Sequence, residues 1–141
     1  MIIQQLSVFL ENKFGRLTEV TAELAARNIN ITALSIAETS EYGILRLIVS
    51  DPAVAVSALK EKDFSVGLTD VLCLSMSNEP GALATILRIM SDAGLSVEYM
   101  YAFSVGKNAF AIIRCDRIKD AIAVLTDKKV KLIRNSDLNS L

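Results

Sequence analysis

The chain has no histidine and no tryptophan. Without histidine it lacks the commonest general base near neutral pH and the commonest nitrogen ligand for metals. Cys73 and Cys115 are its only cysteines, and no Cys-x-x-Cys spacing is present, so no zinc ligand set exists. Both lie in strand-like runs and read as small buried apolar residues. Aromatic residues make up 6% of the chain, too few for a surface that stacks on bases. Neither sign of charge dominates, with 15 Lys and Arg against 16 Asp and Glu, so there is no field to draw nucleic acid or an anionic membrane. No uncharged apolar run reaches the ~18 residues that a membrane helix requires. The start, Met1-Ile2-Ile3-Gln4-Gln5-Leu6, carries no basic segment of the signal-peptide kind. The expectation is a soluble, cytoplasmic protein with no cofactor, no metal, no nucleic-acid partner and no membrane partner.

What the chain does have is a repeat. At an offset of 66 residues, Glu11-Asn12-Lys13-Phe14-Gly15-Arg16-Leu17 falls on Ser77-Asn78-Glu79-Pro80-Gly81-Ala82-Leu83. The shared core is Asn, two residues, Gly, one residue, Leu. Leu59 and Lys62 recur as Leu125 and Lys128, which carries the repeat into a later helix. A period of this length marks a duplicated domain rather than a solenoid turn. We therefore expect two domains, residues 1–69 and 70–141. Domains this small are marginal alone, but 52% hydrophobic content supplies a core.

Each half reads as the same series of elements. In the first, Ile3–Leu10 is an apolar, β-branched strand. A helix over Gly15–Arg27 places Leu17, Val20 and Leu24 on one stripe, and Asn28 stops it in a left-handed position. Strands are expected at Ile29–Ala37 and Ile44–Val49, then a helix opened by Asp51 as cap and Pro52 at its first position. Phe64–Leu68 makes a short last strand. In the second half the matching strands are Val71–Met76, Val97–Phe103, Phe110–Cys115 and Val130–Ile133. The helices carry Leu83, Ile86, Leu87 and Met90, then Ile118, Ile122 and Leu125, with Gly94 in the place of Asn28. The order βαββαβ is that of the α+β ferredoxin-like split, with a four-stranded antiparallel sheet and both helices on one face. Apolar residues on both parities of the second strands (Ile29, Ile31, Leu34, Ile36; Val97, Tyr99, Met100, Phe103) imply that the other face or an edge is covered, by the other half or by a second chain.

Few residues suggest catalysis. Serines and threonines have neither a histidine nor a Ser-x-x-Lys pattern beside them. Glu19, Glu23, Asp116 and Asp120 read as solvated helix faces. The repeated turn is different. It ends a strand and opens a helix whose first-turn N–H groups have no internal partners and whose dipole is positive there, a setting suited to a carboxylate. Gly15 and Gly81 permit close backbone approach, and the amides of Asn12 and Asn78 suit a ligand carrying both carboxylate and ammonium. The competing reading is that Asn caps the helix and Gly permits the turn; two copies tilt the balance to a ligand site in at least one.

The second turn and the segment Ser91-Asp92-Ala93-Gly94-Leu95-Ser96-Val97 resemble the ACT domain, whose pattern is Asn-x-Pro-Gly-x-Leu, a helix, then Gly-(Val/Ile/Leu)-Asn-Ile. The first half matches through Asn12, Gly15, Leu17 and Asn28-Ile29-Asn30-Ile31, with Phe14 in the place of Pro. The resemblance covers nearly the whole chain as a tandem pair. It implies a non-catalytic regulatory module that binds a free amino acid. It further implies that domains pair side by side and that the ligand lies between the strand–helix turn of one domain and the second strand of its neighbour. On that basis the ligand-binding candidates are Leu10, Asn12, Phe14, Gly15, Arg16, Leu17 and Asn30 in the first half. In the second they are Met76, Asn78, Glu79, Pro80, Gly81, Ala82, Leu83, Ser96 and Glu98. Leu10 and Met76 stand where a serine-binding relative has histidine, which implies a more apolar pocket edge. Glu98 follows Ser96 by one strand period and is a candidate for an ammonium; Arg46 and Arg114 are single charges in apolar strands that could clamp a carboxylate.

The resulting expectation is a tandem ACT sensor that forms a homodimer and acts on a metabolic enzyme or a regulator. Two rivals stay open, a ligand-free dimerisation module and a small enzyme with carboxylate catalysis on the same scaffold.

Overall fold

The computed structural model describes residues 1–11, 13–38 and 41–141. Two compact units account for them, Gln4–Thr69 and Asp70–Leu141, the latter together with Met1–Ile3.

In the Gln4–Thr69 unit the elements are β1 (Ile3–Glu11), α1 (Arg16–Ala26), β2 (Ile31–Glu38), β3 (Tyr42–Val49), α2 (Pro52–Glu61) and the start of β4 (Ser65–Ser77). The strands lie in the order β2-β3-β1-β4. Antiparallel pairing sets Leu6 against Leu47, Val8 against Leu45 and Leu10 against Gly43, and then Leu34 against Leu47 and Ile36 against Leu45. Side chains alternate across a strand, so this register gathers Leu6, Val8, Leu45, Leu47 and Val49 into one core with Val20 and Leu24 of α1 and Leu59 of α2. Burying each of the larger ones stabilises by roughly 1.5–3 kcal/mol. Helix α2 begins as expected: the Asp51 side chain accepts from the Val54 N–H at 3.2 Å and Pro52 follows it.

The second unit takes the rest of β4, α3 (Ala82–Asp92), β5 (Val97–Val105), β6 (Asn108–Cys115), α4 (Ile118–Asp127), β7 (Lys131–Leu132) and α5 (Asn135–Leu138). Here β7 pairs with β4, followed by β6 and β5. Leu72, Leu74, Ala111, Ile113 and Cys115 form its core with Ile86, Met90, Ala121 and Leu125. Both units are thus α+β, each with the βαββαβ order. The sheet face turned from the helices also holds buried residues, among them Gln5, Ile48, Cys73 and Ile112.

Backbone conformation repeats with the sequence. Positive φ occurs at Gly15 and Gly81, at Asn28 and Gly94, and at Asp63 and Lys129, each pair at the 66-residue offset. These are helix entries and exits that the duplicated chain turns in the same way.

Three expectations need correction. Phe64–Leu68 and Val71–Met76 are one 13-residue strand, β4, which begins after Phe64; no Gly or Pro interrupts the run strongly enough to break it. Asp116 is not on a helix face. It precedes α4 and accepts the Ser96 N–H at 3.0 Å. The short helix α5, absent from the expected series, is held by Leu138, which is 1% exposed.

Candidate functional site at the first strand–helix turn

β1 ends at Glu11, the Lys13 N–H donates to the Glu11 carbonyl at 2.8 Å, and Gly15 takes φ 85° before α1 starts at Arg16. Gly81 does the same before α3 with φ 89°. Neither helix has a side-chain cap at this position. The capping role considered for Asn is therefore not filled at α3, and Asn12 lies outside the described residues. Glu19 and Thr85 N–H donate to the Gly15 and Gly81 carbonyls at 2.9 and 3.0 Å. The N–H groups of Leu17 and Thr18, and of Leu83 and Ala84, belong to the turn for which a helix has no carbonyl.

A cleft of about 160 Å³ adjoins the first turn, lined by Leu10, Glu11, Lys13, Arg16, Leu17, Ile36, Glu38 and Gly43. The register explains its existence. Gly43 lies between Leu10 of β1 and Glu38 of β2, on the parity that faces the helices, and contributes no side chain to fill the space. A Cβ there would meet the Ala37 carbonyl oxygen at 3.3 Å. The corresponding residue of the second unit is Ala109.

The cleft carries both signs of charge. Glu11 and Lys13 form an ion pair at 2.7 Å. The Lys13 hydrogen bond, reinforced by the Lys13 and Arg16 charges, holds the Glu11 carboxyl below its usual value. Arg16 Nη1 donates to Glu19 at 2.8 Å, its guanidinium lies 4.4 Å from the Phe64 ring centre, and its Nε has no hydrogen-bond partner among the described residues. With Leu10, Leu17 and Ile36 adding apolar surface, the cleft offers a zwitterion a partner for each end.

Among the first-half candidates, Leu10, Arg16 and Leu17 line this cleft and Gly15 shapes its entry. Phe14 is fully exposed and is not part of the lining. Asn30 sits before β2, at the far end of α1, about 16 Å along an 11-residue helix. Its N–H donates to Ser50 Oγ at 2.9 Å and its carbonyl accepts the Ser50 N–H at 3.0 Å. Ser96 makes the same closure with Asp116, so both positions fasten the second strand to the third. The motif by itself does not point to Glu11, Lys13, Ile36, Glu38 or Gly43. Glu11 and Lys13 flank the motif Asn, but the other three reach the cleft only through strand pairing.

The second turn differs. Ser77, Asn78, Glu79, Pro80 and Gly81 are all exposed, and Ala82, Leu83 and Met76 are half-buried. Asn78 is tied to the β5–β6 hairpin, its N–H donating to the Lys107 carbonyl at 2.9 Å and its side-chain amide to that of Gly106 at 3.4 Å. Glu98 and Arg114 pair with each other at 3.3 Å, and Arg114 also donates to the Asp70 carbonyl at 2.8 Å. The ammonium and carboxylate partners considered for these two are thus supplied by the protein itself. Both cysteines are buried; burial pushes the Cys73 thiol up to about 12 and raises that of Cys115. Among the described residues no cluster could hold a metal ion, and no helix is long and apolar enough to cross a membrane.

Comparison with known proteins agrees with this architecture. A protein of Bacteroides thetaiotaomicron of known crystal structure is 52% identical, with TM-score 0.97 over 100% of this chain and 98% of that one. The ligand-free regulatory subunit of aspartate kinase from Thermus thermophilus is 15% identical, with TM-score 0.68 over 89% and 93% of the two chains. The corresponding subunit from Thermus flavus is 18% identical, with TM-score 0.61 over 88% and 90%; these two likenesses concern the fold. A search of curated proteins found no match. The ACT domain pair family model matches residues 1–141, and the chain belongs to that family of regulatory ligand-binding modules.

Proposed function

We propose that this protein is a non-catalytic sensor of a free amino acid, which binds at the first strand–helix turn. The observation that carries the reading is the cleft beside Gly15, lined by Lys13 and Arg16 together with Glu11 and Glu38, at the start of a helix whose first-turn amides have no helical carbonyl to bond. The ligand carboxylate meets the amides and the cations, and the ammonium meets a carboxylate. At about 160 Å³ the space is below the ~300–1,000 Å³ of ordinary ligand pockets. It therefore suits a small ligand, or one completed by another wall. A second copy supplies that wall in a homodimer: β2 is an outer strand with Leu34 and Ile36 47% and 40% exposed. Occupancy then shifts the dimer equilibrium, or that of an enzyme or regulator bound to it.

A thermal-shift screen against the twenty amino acids tests this. At a hundredfold excess over its dissociation constant, the ligand stabilises by about 2.7 kcal/mol. Leu17→Glu places a carboxylate among the amides, remains compatible with the helix start, and is expected to remove the shift. No response from the wild type, or an unchanged response from Leu17→Glu, rejects the proposal. A dimer in sedimentation with no amino-acid response favours the ligand-free dimerisation module.

A further inference from the structure

A second cleft, of about 340 Å³, opens on the β4 side of the same turn, with the rings of Phe9, Tyr42 and Phe64 in its lining together with Arg16, Asp63 and Glu11. Its rings come from β1, β3 and the segment before β4. Phe9 and Tyr42 are diagonal neighbours on paired strands, with ring centres 6.3 Å apart and planes tilted by 53°. Both remain about half exposed, 51% and 49%. Phe64 is buried beneath the Arg16 guanidinium.

The fold does not require these residues. At the 66-residue offset the second unit has Ser75, Asn108, Val130 and Ala82 in place of Phe9, Tyr42, Phe64 and Arg16, and it closes the same βαββαβ unit around its own core. The aromatic set is an addition to one copy of a shared scaffold. Two half-exposed rings on strands gain little from burial, whereas a mostly apolar concavity with a few charged groups is the usual form of a small-molecule site. Its charges match a zwitterion. One guanidinium nitrogen of Arg16 is held by Glu19, and its other terminal nitrogen has no partner among the described residues. Glu11 is engaged by Lys13, while the Asp63 carboxylate makes no ion pair among the described residues.

We propose that this cleft is a binding site for an aromatic amino acid, with its ring against Phe9 and Tyr42, its carboxylate on Arg16 and its ammonium on Asp63. Offset or edge-on ring contacts and the planar cation select an aromatic side chain over an aliphatic one of similar size. The cleft shares Leu10, Glu11 and Arg16 with the turn cleft, whereas Phe9, Tyr42, Asp63 and Phe64 line this one and not the other, so the two sites are told apart by those residues.

The test is NMR titration of the full chain with L-phenylalanine, L-serine and 3-phenylpropanoate, following the resonances of both clefts. L-Phenylalanine is expected to shift Phe9, Tyr42 and Phe64, and 3-phenylpropanoate, lacking the ammonium, to bind at least about tenfold more weakly. The double variant Phe9→Ser/Tyr42→Asn installs the residues of the second unit and keeps the spectrum of a folded chain. It is expected to weaken L-phenylalanine by about tenfold or more. L-Phenylalanine acting only on Leu17, Ile36 and Gly43, or binding the double variant at full strength, overturns the proposal. L-Serine shifting the turn cleft while L-phenylalanine shifts nothing overturns it and leaves the proposed function standing. Silence of every amino acid at both clefts overturns both. Equal binding of 3-phenylpropanoate overturns the role of Asp63.

Discussion

The Arg16 guanidinium sits 4.4 Å from the centre of the Phe64 ring, joining the first residue of α1 to the segment that opens β4. With Glu19 holding Nη1, the side chain lies between the two clefts and is fixed from both sides. A double-mutant cycle with Arg16→Gln and Phe64→Leu should return a coupling of about 0.5–1 kcal/mol in urea unfolding. Additive effects of the two changes would mean that the stacked geometry is not populated in solution.

Left-handed backbone at matched positions makes opposite substitutions informative. Gly81 at φ 89° has open space where a Cβ would stand, so Gly81→Ala tests conformation alone and should cost about 1 kcal/mol. Lys129 holds φ 60° with a side chain. Lys129→Gly should stabilise by about 0.5 kcal/mol, since relief of the left-handed penalty outweighs the added freedom of the unfolded chain.

Gly43 keeps the turn cleft open without needing an unusual φ. Gly43→Ala reproduces the residue of the second unit, Ala109, and brings a methyl within 3.3 Å of the Ala37 carbonyl. Stability should fall by less than about 1 kcal/mol, with any amino-acid response of the turn cleft reduced. Calorimetric titration would separate the two effects.

Asp51 caps α2 through the Val54 N–H. Its replacement by Ala should cost about 1 kcal/mol, measured by chemical unfolding at neutral pH. Arg117, at the equivalent start of α4, makes no such side-chain cap, so Arg117→Ala is not expected to show this loss by the same mechanism.

The Cys73 thiol, raised from 9.0 to about 12 by burial, links stability to alkaline pH. The folded state keeps the proton that the unfolded state releases above pH 9. This contribution is complete below that value and is lost as pH rises towards about 12, with a limiting slope on the order of 1.4 kcal/mol per pH unit. Cys73→Ala should flatten the fall in unfolding free energy between pH 9 and 10.5. In the native protein neither thiol should react with a disulfide reagent at pH 8 before unfolding.

Much of the fold is legible in the sequence because its signals are local. The 66-residue repeat locates both turns, Asn28 and Gly94 mark both helix exits, and Asp51-Pro52 opens α2 with the expected cap. The single strand β4 reads as two, because hydrophobic pattern alone cannot tell a pause between strands from a strand that passes from one unit to the next. At the turn cleft, Leu10, Arg16 and Leu17 are recognisable from the motif. Ile36, Glu38 and Gly43 are not, since nothing in their own neighbourhood points to the turn.

By itself the amino-acid order determined the element types, the doubling and the two left-handed glycine turns, all consequences of side-chain periodicity and of which residues tolerate positive φ. The tertiary structure alone decided which residues line the cleft at the first turn, and it alone brought Phe9, Tyr42, Phe64 and Arg16 together. Those outcomes depend on residues far apart in the chain, where one missing side chain at Gly43 or three aromatic residues lining one cleft make a space that no local pattern records.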